Sequence, residues 1–393
     1  MGKETQAADI YLRKAEELAA EFAKDAVERD KAGGTPKRQR DLIRESGLLK
    51  LIIPSQYGGD NQPWSVALRI VRELAKSDAS LAHVLGYHYF MVVQAHYKGS
   101  LEQQRFYYRE TVRNNWFWGN SSNPLDRNVI GRKTAEGAVL SGRKGFSSGS
   151  TDSDMLLVSW NDDKTGEFLV GAIPSSRDGI RIHEDWDSFG QRQTGSGTVS
   201  FEQVQVAEAE ILDVESRRPF AFSTIDPILS QSILANIFAG SAEGALAEAK
   251  QYTLTQSRPW ISSNVDKASL DPYILQQYGE FWTDLKAAVL LVEQAALELD
   301  ELWAKEFALT EAERGEAAVT VATANAFAAK TALAITGGIL EVTGARSTAS
   351  RYGFDRFWRN VRTHTLHNPT VYKLRNVGDW VLNDEIPKPS LYS

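Results

Sequence analysis

The chain of 393 residues contains no cysteine. That absence removes disulfides, thiolate metal ligands and a cysteine nucleophile from consideration, and it makes the cytoplasm the expected compartment. No basic run stands out against a net charge of −7, so nucleic acid is not expected as a partner, because a phosphate backbone demands a concentrated basic surface. No window reaches the roughly 18 uncharged apolar residues that a membrane-spanning helix needs. Met1 to Arg29 mixes charge with Ala and Leu and offers no apolar signal core, so a soluble protein is expected. A G-x-G-x-x-G after a strand is also missing, which leaves no nicotinamide-binding unit. Histidine is scarce, with six residues, so any close pair concentrates groups that exchange protons near neutral pH.

What is present divides by period. At 42% hydrophobic and 24% charged, the chain is long enough for a large core and two or three domains. From Ala7 to about Arg113, Leu12, Ala15, Leu18 and Phe22 and then Val66, Ile70, Val71 and Leu74 recur at helical spacing. Gly47 to Gly59 reads as a helix stop, a short buried apolar run and a glycine turn. From Trp116 to about Asp213 the period falls to two, in short segments such as Met155 to Trp160, Phe168 to Ile173 and Thr198 to Phe201. Helical spacing returns in Ile233 to Ser257, Gln276 to Phe307 and Glu311 to Thr336, where Gly240 and Gly244 on one face predict a close helix contact. The expected architecture is mainly α with a central β domain. A helical domain spans 1–115, an antiparallel β-barrel or sandwich 116–215, and a four-helix bundle with an oligomerisation surface 216–393.

The chemistry concentrates in Arg356 to Pro369, where an arginine-rich helix runs into His364 and His367, three residues apart on one helical turn. The pair is a candidate active site; a helix cap or subunit contact is the other reading. A zinc site is not expected, because the pair lacks the Glu of H-E-x-x-H. Arg356, Arg359 and Arg362 read as structural.

The helical, β, helical order resembles the acyl-CoA dehydrogenase superfamily. Gly47 to Gly59 is similar to its "GLL…P…YGG" segment, Gly142-Arg-Lys144 to its "G-x-K" strand, and Val199 to Val206 to its "V-x-F-x-x-V-x-V" strand. Gly337-Gly338 with Gly344, and Asp355 to Arg362, resemble its "GG…G" and "ER-x-x-RDAR" signatures. Many dehydrogenases follow the arginine helix with "YEG", whose glutamate removes an acyl-CoA α-proton; here Leu366-His367-Asn368-Pro369 stands in that place. The H-x-x-H-N-P ending, Gly86-Tyr87-His88-Tyr89, Trp116 to Pro124 and the Pro387 to Ser393 end resemble the reduced-flavin-dependent monooxygenase branch, the dibenzothiophene monooxygenases.

The resemblance implies an enzyme of a two-component system that takes reduced FMN from a separate NAD(P)H-dependent flavin reductase. With O2 as cosubstrate it would form a C4a-hydroperoxyflavin and oxygenate a small organic substrate, at sulfur. It also implies a homotetramer. His88, Asn120, Ser148, His364 and His367 would be catalytic. Trp118, Asn120, Phe146, Ser147, Ser148, Trp186, Arg258, Arg346 and His367 would bind the flavin, with Arg258 and Arg346 on its phosphate. His88 has a second reading, a satisfied core histidine, and the family's tyrosine one turn after its first motif histidine would then fall at Val92. The alternatives are an FAD-dependent acyl-CoA dehydrogenase with a relocated base, and a non-catalytic member of the fold.

Overall fold

Apolar residues three and four apart give the first part of the chain its helices: α1 (Gly2–Ala23), α2 (Ala26–Ala32), α3 (Lys37–Ser46), α4 (Trp64–Ala75), α5 (Ala79–Val92), α6 (Gln94–Lys98) and α7 (Leu101–Asn114). The computed structural model describes residues 2–212, 220–391 and 393, so the expected domain boundary at 215 and Tyr392 of the terminal motif lie outside the described residues. Gly47 closes α3 at φ +78, a left-handed position that suits glycine, and the chain then buries Leu48, Leu49, Leu51 and Ile53. The Asp78 carboxylate caps α5 by accepting from the backbone N–H of Ser80 and Leu81, both at 3.0 Å. α5 is apolar on nearly every side because it is packed against α4 and the later elements on all of them.

The β domain comprises β1 (Trp118–Ser121), β2 (Ile130–Thr134), β3 (Gly137–Lys144), β4 (Met155–Asp162), β5 (Phe168–Pro174), β6 (Ile180–Ile182) and β7 (Val199–Ala207). The sheet order is β1-β4-β2-β3-β7-β6, with β5 also on β4. Most neighbours are antiparallel, as expected, but β1 and β2 both pair with β4 in parallel. Alternation of apolar and polar residues specifies a half-buried strand and carries no information on direction, so this pairing is not visible in the sequence. Its core gathers Leu140, Val158, Trp160, Ile173, Val199 and Phe201.

The remaining helices are α8 (Asp226–Thr255), α9 (Pro272–Lys305), α10 (Glu311–Thr343), α11 (Asp355–Thr365) and α12 (Thr370–Asn383). α10 packs on α8, α9, α11 and α12. It is long and apolar enough to cross a membrane by those two measures, and most of that stretch is buried inside the bundle. It continues through Gly337 and Gly338 to Thr343, beyond the stretch expected, because a Cβ at Gly338 would lie 2.8 Å from Phe281 of α9 and glycine there admits the ring. Gly240 and Gly244 serve close packing as expected: a Cβ would meet the Arg72 carbonyl at 2.2 Å and the Lys76 carbonyl at 1.8 Å.

Arg359 ties the three parts together. Its guanidinium pairs with Asp30 of α2 at 2.5 Å and Asp355 at 2.8 Å, and donates to the Phe189 carbonyl of the loop before β7 at 2.6 Å. Arg356 bonds Glu248 and the Gly353 carbonyl, so both arginines are structural links.

Gly244→Val forces α8 off the α4 backbone and should lower stability by about 1–3 kcal/mol, read as a fall in thermal midpoint. Gly279→Ala in α9, where a Cβ meets nothing within 4 Å, should raise it by about 0.4–1 kcal/mol.

Candidate active site

Where α5, α11, the end of β1, the turn after β3 and the loop before β7 converge, they leave a cleft of about 1410 Å³. Positions 83, 87 and 90 fall on one face of α5 by helical spacing, and His83, Tyr87 and Phe90 line the cleft. The His83 ring stacks on Tyr87 with centroids 4.1 Å apart and meets His364 of α11 at 4.6 Å. Both imidazoles are buried, and Nδ1 of each has no hydrogen-bond partner among the described residues. Burial pushes His83 down to about 3, helped by His367. Burial also holds His364 well below the usual histidine range, with His83 and His367 adding to the effect. Two uncharged rings therefore meet at the cleft wall, each with an orphaned nitrogen.

His367 follows one turn later and lines the same cleft. Its surface is open to the cleft while protein encloses the rest of the ring. Desolvation first, then the Lys373 charge, hold it below the ordinary histidine value. The turn from His364 to Pro369 contains no carboxylate.

His88 does not reach the cleft. Its Nε2 bonds the Leu49 carbonyl at 2.7 Å and its Nδ1 accepts from the Trp118 N–H at 3.2 Å, so both nitrogens are used and the ring is a satisfied core histidine. The residue of α5 that faces the cleft is His83, and the tyrosine one turn after it is Tyr87. The signal was the His83, Tyr87 spacing of four, which sets both on one helical face.

The β-domain wall carries Asn120, Phe146, Ser148 and Trp186. Asn120 Oδ1 accepts from the Ser122 N–H at 2.8 Å and hydroxyl at 2.6 Å, which leaves its amide nitrogen free to donate. The Ser148 hydroxyl bonds Ser196 at 2.8 Å, and Ser196 bonds Thr194 at 2.6 Å, a chain of hydroxyls along the wall. Phe146 sits at φ +54 and is 64% exposed, packed edge-on to Trp186 at 5.8 Å. A bulky residue at positive φ costs about 1–3 kcal/mol, and exposing an aromatic ring adds to that, so the site spends stability to present this ring. Trp186 is fixed by its Nε1 donating to the Gln191 carbonyl at 2.9 Å.

Two neighbours of these residues point elsewhere. Ser147 is buried, its hydroxyl on Ser121 at 3.2 Å and the Lys144 carbonyl at 3.0 Å. Trp118 is buried against Tyr107 with Nε1 on Thr111 at 2.9 Å. Arg258 and Arg346 lie on the exposed surface at the ends of α8 and α10, away from this cleft, where Arg346 donates to the Gln256 carbonyl at 2.6 Å.

Three family models cover most of the chain: acyl-CoA dehydrogenase N-terminal domain over residues 5–115, middle domain over 122–204 and C-terminal domain over 232–371. The chain is 46% identical over 380 residues to a Pseudomonas putida protein named "Probable FMNH2-dependent monooxygenase SfnC", covering 96% of each. It is 42% identical over 392 residues to the dibenzothiophene monooxygenase of Rhodococcus qingshengii, covering 96% of this chain and 94% of that one. The solved structure of methanesulfinate monooxygenase MsuC from Pseudomonas fluorescens superposes with a TM-score of 0.95 at 47% identity, covering 97% of this chain and 99% of that one.

The depressed histidines make stability pH-dependent. Unfolded histidine takes up a proton near pH 6.5 while buried His83 and His364 do not, so stability present above that value is lost as pH falls below it, by about 1.4 kcal/mol per unit for each group. Thermal midpoints measured from pH 7 to pH 5 should fall, and His83→Gln should flatten the decline.

Proposed function

The chain belongs to the acyl-CoA dehydrogenase family, and from that premise we propose that it is a two-component monooxygenase that uses reduced FMN and dioxygen to oxygenate a small organosulfur compound at sulfur. The observation that carries this reading is the pair of neutral imidazoles, His83 and His364, in the cleft wall beside His367 where a dehydrogenase would need a carboxylate. A neutral imidazole in a desolvated wall is a hydrogen-bond partner for a reactive oxygen and a poor base toward a C–H bond. The relatives named above act on dibenzothiophene and methanesulfinate, and sulfur is what those substrates share.

The residues present fit a flavin. The free amide of Asn120 and the Ser148 hydroxyl supply polar partners on one wall, the imidazoles of His364 and His367 line the other, and Phe146 and Trp186 supply an aromatic surface. When bound, reduced FMN supplies the electrons that activate dioxygen. With FMN bound, His83, His364 and His367 would offer hydrogen-bonding imidazoles at the oxygen-transfer centre, Asn120 and Ser148 would hold polar atoms of the ring, and Phe146 and Trp186 would exclude water. Tyr87, Phe90 and Leu157 line the space left for substrate. A separate reductase supplies the reduced cofactor, and the cytoplasm is the compartment.

Assembly completes the site in this reading. α9 exposes Tyr273, Trp282, Leu290 and Leu297, and α12 exposes Val371, Leu374, Val381 and Leu382, which is more apolar surface than a monomer usually leaves to water. We assign these faces to a homotetramer in which Arg258 and Arg346, too distant from their own cleft, hold the FMN phosphate of a neighbour.

Mixed with a flavin reductase, NADH and FMN, the protein should oxygenate sulfinates or sulfur heterocycles, and it should oxidise no NADH alone. Flavin reduction by an acyl-CoA would contradict the proposal. In the same assay His367→Ala should retain FMN binding but lose about two to three powers of ten in product rate, with oxygen diverted to hydrogen peroxide. Arg258→Ala should weaken FMN binding roughly ten- to a hundredfold by fluorescence titration.

A further inference from the structure

The chain of hydroxyls on the β-domain wall has a direction. Thr194 Oγ1 lies 2.9 Å from the Gln191 carbonyl oxygen and 2.6 Å from Ser196 Oγ, and Ser196 Oγ lies 2.8 Å from Ser148 Oγ. Gln191, Thr194 and Ser196 are buried, while Ser148 is half-buried and lines the cleft. Two oxygens this close repel unless a hydrogen lies between them, and a carbonyl has none to give. Trp186 Nε1 and the Thr194 N–H also donate to that carbonyl, at 2.9 Å and 3.2 Å, and neither relieves the contact between the two oxygens. Thr194 therefore spends its one hydroxyl hydrogen on Gln191, Ser196 spends its own on Thr194, and Ser148 its own on Ser196. Ser148 is left with lone pairs alone to turn toward the cleft.

Asn120 has the opposite character. Its Oδ1 is taken by the N–H and hydroxyl of Ser122, so its amide nitrogen donates, and its backbone N–H on the Ser148 carbonyl at 2.9 Å holds the two residues side by side. One wall thus offers a fixed donor next to a fixed acceptor. We propose that Thr194 and Ser196 are positioning residues that make Ser148 a hydrogen-bond acceptor only, and that the wall thereby selects reduced over oxidised flavin. Reduced flavin carries a hydrogen on N5 beside its C4 carbonyl, an edge that matches one donor and one acceptor, whereas N5 of the oxidised ring is a bare acceptor that would meet the Ser148 lone pairs. The choice of ligand rests on the functional reading above; the direction of the hydroxyl chain follows from the flavin-free protein alone.

Anaerobic titrations with oxidised FMN and with chemically reduced FMN read the selection without turnover. The wild type should bind the reduced form at least about tenfold more tightly than the oxidised form. Thr194→Val keeps the shape and removes the hydroxyl, so Ser196 can turn its hydrogen to Ser148 and Ser148 its own to the cleft. The preference should then fall about tenfold, the size of one hydrogen bond exchanged for a mismatch, while Thr194→Ser should retain it. If Thr194→Val does not fold, Ser196→Ala, which leaves the Ser148 hydrogen without its acceptor, should show the same loss. Equal affinities in the wild type, or a preference that survives in these variants, would overturn the assignment. Neutron diffraction from flavin-free crystals exchanged into heavy water should find the Ser148 deuteron on the Ser196 side, and a deuteron directed into the cleft would equally overturn it. Failure of the wild type to bind either form of FMN would contradict the functional reading and the ligand named here, with the deuteron positions still deciding the direction of the chain.

Discussion

The contact between His83 on α5 and His364 on α11, with ring centroids 4.6 Å apart, joins the first helical domain to the bundle at the wall of the cleft. It exists because α5 is enclosed. Gly86 lets Ile233 of α8 approach, with 2.6 Å left for a Cβ, and Gly240 and Gly244 bring α8 against α4. The enclosure strips water from both rings, and neither finds a partner for Nδ1 among the described residues. A buried polar atom left unpaired costs about 1–3 kcal/mol. The fold carries that cost at two adjacent residues, both of which line the cleft.

The β domain supplies the opposite wall; Trp118, Met155, Leu157 and Val170 pack into the helical core, and polar links fix the loop before β7. Arg359 grips the Phe189 carbonyl, and Asn360 Oδ1 accepts from the Gln191 N–H at 2.6 Å, so α11 holds the loop before β7 by two of its side chains. Gly190 permits the approach, since a Cβ there would meet the Arg359 carbonyl at 2.1 Å. The same helix thus fixes the aromatic wall through that loop and presents His364 and His367 at its end. This coupling explains why an arginine-rich helix adjoins the histidine pair in sequence.

Much of this was legible in the chain. The change of period from 3.6 to 2 and back marks the three parts, and His364, His367, Asn120, Ser148, Phe146 and Trp186 meet at one cleft as their motifs suggested. What the sequence does not carry is direction. A histidine in an apolar helix gives no sign of which way it faces, and His88 turns inward to bond Leu49 while His83, five residues earlier, turns to the cleft. Ser147 and Ser148 differ in the same way, one hydroxyl in the core and its neighbour on the wall. Parallel pairing of β1 and β2 with β4 is equally silent, because it is set by long-range connection and not by side-chain alternation.

The family is shared with enzymes that use a carboxylate for proton abstraction, and in this chain neutral imidazoles occupy the turn instead. That exchange of an anionic base for uncharged hydrogen-bonding rings is the physical core of the account. A crystal structure of the protein with FMN tests it most directly. The account predicts the flavin ring between the wall of Phe146 and Trp186 and the histidines, with His364 or His367 within about 3.5 Å of the flavin edge that reacts with oxygen. A flavin bound elsewhere, or one whose reactive edge faces a carboxylate while the histidines point away, would contradict it.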